Sequence, residues 1–119
     1  MLERILWLGK LVDAYGSLLT ERQQLCLELH YDQDLSLGEI AEQLNVSRQA
    51  VHDMLKRSEL QLQEYEDKLG LVNRQQRQLA LLQQTASLLA DLPEALKTDG
   101  RIIEAAKRIQ KLLELPDEV

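Results

Sequence analysis

The residues best suited to chemistry lie in one short run. Ser47, Arg48, Gln49, His52, Asp53, Lys56 and Arg57 follow one another at steps of one and three. On a helix those steps put them on one side. Such a set is suited to nucleic acid. An arginine can bond guanine with two donors, and a glutamine can do the same to adenine. Ser47 and the first backbone N–H groups of a helix suit a phosphate, as do Lys56 and Arg57 further along. His52 can meet a phosphate or a base, or be an ordinary surface histidine. The plainer reading of the whole set is the solvated face of a core helix.

The elements that must hold this face are legible around it. Ser36 with Glu39 forms a capping-box signature, and Leu37, Ile40, Ala41 and Leu44 are the inner face of the helix that follows. Asn45 tolerates the left-handed backbone that a tight turn between helices requires. Ser47 caps the next helix, whose inner face is Val51, Met54 and Leu55. A helix-turn-helix needs a small residue at the crossing, a flexible turn residue and apolar residues at fixed offsets. Ala41, Asn45, and Ile40, Leu44, Val46, Val51 and Met54 fill these places. Its second helix fits the major groove, with its N-terminal residues nearest the base edges.

Outside this run the chain reads as helix throughout. Leu2, Ile5, Leu8, Leu11, Val12, Tyr15, Leu18 and Leu19 step as one amphipathic helix. Thr20 with Gln23 opens a second, with Leu25, Leu29 and Cys26 as its buried face, ending at the turn Asp32-Gln33-Asp34. Beyond Leu55 the apolar pattern runs through Leu60, Leu62, Tyr65 and Leu69 to Gly70. Leu79, Leu82, Ala86, Leu89 and Leu92 carry another helix up to Pro93. After the turn Lys97-Thr98-Asp99-Gly100, a last helix carries Ile102, Ile103, Ala106, Ile109, Leu112 and Leu113 before Pro116.

The 119 residues amount to one ordinary domain, or a small domain with an appendage. Leu, Gln, Glu, Ala and Arg dominate, with no Phe, 5 Gly and 2 Pro, which favours helices and disfavours a β-sandwich or barrel. The fold expected is all-α. Residues 1–70 form the helix-turn-helix domain, and residues 71–119 a helical arm that mediates dimerisation. The apolar stripe Ile102, Ile103, Ala106, Ile109 and Leu113 is too apolar to stay bare, so it packs on its own chain or on a second one.

The strongest family signal sits on the same residues. The stretch from Leu18 to Gln23, the blocks Ser-Leu-Gly-Glu-Ile-Ala and Val-Ser-Arg-Gln-Ala-Val between Leu35 and Val51, and Lys56 to Glu59 resemble the bacterial YlxM family. Tyr65 to Leu69 continues the likeness, which covers about residues 8–70. More distantly, the same residues resemble the promoter-reading fourth region of bacterial sigma factors. The resemblance implies a sigma-region-four-like or winged-helix-like domain and an often dimeric, DNA-binding-like protein. It also implies a role in, or regulation of, the signal recognition particle pathway. The partners it adds to double-stranded DNA are RNA, a second copy of the chain, and the targeting GTPase or its RNA.

Charge sets limits on binding. With 14 basic and 20 acidic residues the net charge is -6. Residues 1–70 hold 13 acids and 7 bases, while residues 71–119 hold 7 of each. Val46 to Ser58 alone is basic, with Arg48, Lys56 and Arg57 against Asp53. This excludes a tight, sequence-blind nucleic-acid coat and predicts weak, salt-sensitive duplex binding that needs two copies.

Other candidates carry less. Trp7 and Leu8 could anchor a partner, though core packing is the simpler reading. Cys26 and His30 stand four apart, but no second pair completes a metal set, so no metal or cofactor is expected. The acids Glu59, Glu64, Glu66 and Asp67 read as a solvated helix face. No phosphate loop or nucleophile–His–carboxylate set is present, so the chain is not expected to be an enzyme. One cysteine and no long apolar run point to a reducing, cytoplasmic setting without a membrane span.

Overall fold

A computed structural model of the protein describes residues 2–115. Pro116 and the residues after it lie outside that range. The described residues are all-helical and fall into two compact units, one reaching to Gly70 and one starting at Leu71. With no strand among them, the first unit is built from helices alone and has no β-wing.

The first unit contains α1 (Leu2–Tyr15), α2 (Glu21–Leu27), α3 (Leu37–Leu44) and α4 (Arg48–Leu69). A 3-10 turn, Gly16–Leu18, follows α1 and brings Leu19 into the core while Leu18 faces water. The capping box at Thr20 is complete: its hydroxyl accepts from the Gln23 N–H at 3.2 Å, and the Gln23 side chain accepts from the Thr20 N–H at 3.0 Å. Gln23 then turns inward, where its amide donates to Gln61 on α4 at 2.6 Å. That orientation buries Gln23, Cys26 and Leu27 and leaves Leu25 41% exposed, so Leu25 is not part of the core as its spacing implies. A π-turn, Glu28–Asp32, continues α2 and brings in Leu29. His30 closes the turn, with Nδ1 3.0 Å from the Leu35 carbonyl. Cys26 is fully buried elsewhere in this helix, and among the described residues no three His, Cys, Asp or Glu converge as a metal site.

The buried stripe of α4 runs Val51, Leu55, Ser58, Leu62, Glu66, at helical steps of three and four. It departs from the apolar pattern of the sequence, because Leu60 and Leu69 face water while Ser58 and Glu66 are inside. Each buried polar group has a partner. Ser58 Oγ donates to the Met54 carbonyl at 2.7 Å, and Tyr15 donates its hydroxyl to the Glu66 carboxylate at 2.6 Å.

Two more polar links join α1 to α4. Arg4 meets Glu59 at 3.2 Å, and the Trp7 indole N–H donates to Gln63 at 2.9 Å. Trp7 and Leu8 are therefore core packing for their own chain, with Leu8 buried and Trp7 half-buried. The acidic group on α4 is not one solvated face. Glu59 binds Arg4 and Tyr31, Glu66 is buried under Tyr15, and only Glu64 and Asp67 face water.

The second unit contains α5 (Leu71–Ala90) and α6 (Gly100–Leu113), which pack on each other. Asp99 caps α6, its carboxylate accepting from the Arg101 N–H at 2.8 Å. Leu79, Leu82, Ala86 and Leu89 of α5, and Ile102, Ala105, Ile109 and Leu113 of α6, are half-buried. No residue of α6 is fully buried. Among the described residues, no helix is long and apolar enough to cross a membrane.

Candidate nucleic-acid interface

The turn between α3 and α4 fixes how the chemical face is held. Ser36 and Glu39 complete a second capping box, at 3.1 Å and 3.0 Å, which starts α3. The Ser36 N–H, and then its hydroxyl, hold the Glu39 carboxylate pKa below the usual range. At the other end Asn45 takes φ 56° and ψ 49°, the left-handed region. Its N–H reaches the Glu42 carbonyl at 3.4 Å, and the Val46 N–H reaches the Ala41 carbonyl at 3.0 Å. These two bonds are the Schellman pattern, which closes one helix and aims the chain for the next. Ser47 opens α4, its hydroxyl accepting from the Ala50 N–H at 3.0 Å. The crossing is packed as the spacing demands. Ile40, Ala41 and Val51 are buried, and Leu44, Val46 and Met54 are half-buried.

With the inner face spent on packing, Ser47, Arg48, Gln49, His52, Asp53, Lys56 and Arg57 all face solvent. They are not equally free to reach a ligand. Gln49 donates its side-chain amide to Asp53 at 2.9 Å, and His52 Nδ1 lies 3.5 Å from the same carboxylate oxygen. Arg48 leans back toward the start of α3, where a Cβ added at Gly38 would lie 3.8 Å from its Cδ. Lys56 lines a cleft of about 450 Å³ together with His52, Arg4, Tyr31 and Glu59. Burial and the Glu59 carboxylate push the Tyr31 hydroxyl up to about 12, so it remains a donor to Glu59 at neutral pH.

One supporting residue lies outside the apolar repeat. Arg22 on α2 donates to the Leu44 carbonyl at 3.0 Å, satisfying a C-terminal carbonyl of α3 beside the turn. Only the three-dimensional neighbourhood reveals the role of Arg22, because it does not belong to the apolar repeat.

The fold and this turn define a helix-turn-helix protein. Residues 2–109 match the family UPF0122, described as "Putative helix-turn-helix protein, YlxM / p13 like", and the chain belongs to that family. A UPF0122 protein of Desulforamulus reducens is 53% identical over 97 residues, covering 77% of this chain and 83% of its own. One from Bacillus mycoides is 42% identical over 109 residues, covering 92% of this chain and 99% of its own. A UPF0122 protein of Bacillus thuringiensis is 41% identical over the same length. The family description names a helix-turn-helix protein, not an enzyme.

Proposed function

We propose that this chain binds double-stranded DNA as a homodimer, through the exposed face of α4, and acts in or regulates the signal recognition particle pathway. The observation that carries the DNA reading is the placement of Ser47, Arg48, Gln49, His52, Lys56 and Arg57. All are solvent-facing on a helix whose N-terminus is fixed by the Asn45 turn and the Ser47 cap. Arg48 and Gln49, in the first turn, are the base-reading candidates, and Lys56 and Arg57 the phosphate contacts. The pathway assignment rests on the YlxM likeness alone. A cytoplasmic setting fits a chain whose one cysteine is unpaired.

The homodimer reading is supported by α6. Ile102, Ile109 and Leu113 are only half-covered by α5, Ile103 is 41% exposed, and Ala106 faces outward. A two-helix hairpin leaves such a stripe partly bare, and a second copy would cover it. Dimerisation also doubles the cations offered to a duplex, which a mainly acidic first unit needs.

One observation favours a second reading, an adaptor for the targeting GTPase or its RNA. Asp53 holds both Gln49 and His52, and its charge would face a phosphate backbone. The test is the double variant Arg48→Ala, Lys56→Ala in duplex titrations and in pull-downs from lysate with and without nuclease. Duplex binding abolished by the variant supports DNA binding. A protein partner retained by the variant and unaffected by nuclease supports the adaptor. A variant unchanged in every binding assay would leave only a structural helical oligomer.

A further inference from the structure

We infer that the groove between α1 and the α2–π segment is the docking site for α6 of a second copy of this chain. This rests on the homodimer reading above and specifies which surfaces meet. The groove has a volume of about 450 Å³ and is lined on its apolar side by Ile5, Val12 and Leu27. Ile5 is 44% exposed there, an apolar side chain only partly covered by its own chain.

Gly9 also lines the groove, and it is the informative residue. It stands in the interior of α1, where glycine weakens a helix. A Cβ added at Gly9 would meet nothing within 4 Å, so packing within this chain does not require a glycine. A missing side chain that opens an apolar groove is what close approach of another helix needs.

Charge points to the kind of helix. The groove is also lined by Asp13, Glu28 and Asp32, all exposed, and none takes part in an ion pair among the described residues. They suit a cationic amphipathic helix. The chain supplies one. On α6 the helical steps flank the apolar stripe with Arg101 and Arg108 on one side and Lys107 on the other. Arg108 pairs with Glu104 at an exposed site, a link worth little, while Asp99 holds Arg101 in a two-bond fork and Lys107 has no ion pair among the described residues. No α6 residue is fully buried, so its stripe has surface left to offer.

The test is sedimentation of the full chain, alone and in mixtures. Gly9→Leu fills the groove and is expected to weaken the dimer by about 30-fold or more while keeping the helical signal. Ile109→Glu, which spoils the helix that docks, is expected to do the same. Mixing the two variants is expected to restore association, because the intact α6 of the first fits the intact groove of the second. If Gly9→Leu fails to fold, Asp13→Lys with Asp32→Lys replaces it, with the same expected weakening. If Ile109→Glu dissociates the dimer but groove variants leave it intact, this inference is overturned while the homodimer stands, with the arms pairing on each other. If the wild-type chain is monomeric at high concentration, both fall.

Discussion

Tyr15→Phe removes one oxygen atom from the link that pins α1 to α4, the helix that bears the candidate interface. The hydroxyl donates to Glu66 at 2.6 Å, and the two residues are 1% and 4% exposed. A hydrogen bond to a charged group contributes roughly 1.5–3 kcal/mol. The expected loss is therefore about 2–3 kcal/mol, a large part of the roughly 5–15 kcal/mol that holds a domain folded. For a unit of this size it corresponds to a fall in Tm of roughly 10–20 °C. The assay is urea and thermal unfolding followed by circular dichroism, with protomer concentration held fixed because association shifts apparent stability. A double-mutant cycle with Glu66→Leu, which leaves no oxygen to accept the bond, isolates the pair, with a coupling of at least about 1 kcal/mol expected. A Tyr15→Phe cost below about 0.5 kcal/mol, or a coupling near zero, would refute the assignment of this bond as the pin.

Three further outcomes follow from the same structure. Asn45→Val should destabilise the first unit by roughly 1–2 kcal/mol in denaturant melts, since a β-branched residue is strained at φ 56°, whereas Asn45→Gly should be neutral or stabilising. Equal effects of the two would show that the turn does not constrain the helix-turn-helix. The Tyr31 hydroxyl is raised to about 12, so the unfolded chain loses this proton first. Its contribution is complete below about 10 and is lost as pH rises from there through about 12. Tyr31→Phe should flatten that alkaline limb in pH-dependent melts, and an unaltered limb would contradict the contact with Glu59. Burial raises the Cys26 thiol and keeps it inside, so labelling by a thiol reagent should be slow in native protein and fast in urea. Rapid native labelling would mean that α2 opens easily.

The helix-turn-helix was legible because its requirements are local. Two capping boxes, a turn residue able to take positive φ, and apolar residues at helical steps are all written in one continuous stretch from Thr20 to Leu55. The same is true of the cap at Ser47 and of the outward face from Arg48 to Arg57, since a helix with one face packed must present the other. What was not legible depended on pairing across the fold. Ser58 and Glu66 look like surface residues in sequence, and the Tyr15 hydroxyl donates to Glu66 from another helix, which the sequence does not record. Leu25 looks like core and faces water, because Gln23 turns inward to meet Gln61. Arg48 resting against Gly38, and Asp53 holding Gln49, are side-chain choices that no spacing records.

Those choices bear on function. The structure keeps the cations exposed while giving two of the polar side chains an internal partner. A duplex would have to draw Gln49 from Asp53 before adenine could be read. Weak binding, dominated by Arg48, Lys56 and Arg57, is therefore expected in place of tight base-specific recognition.

Titration of duplex DNA with the full chain at several salt concentrations tests the central claim most directly. Lys56 and Arg57 offer two phosphate contacts per protomer and four per dimer. A logarithmic salt slope of about -4 is expected, with affinity falling roughly 10²-fold between about 50 and 200 mM salt. Arg48→Ala with Lys56→Ala removes two of those four contacts together with the Arg48 base contact and should bring the slope to about -2, with binding lost at moderate salt. Absence of duplex binding by the wild-type chain at low and moderate salt, or a slope unchanged by the double substitution, would contradict nucleic-acid binding through α4.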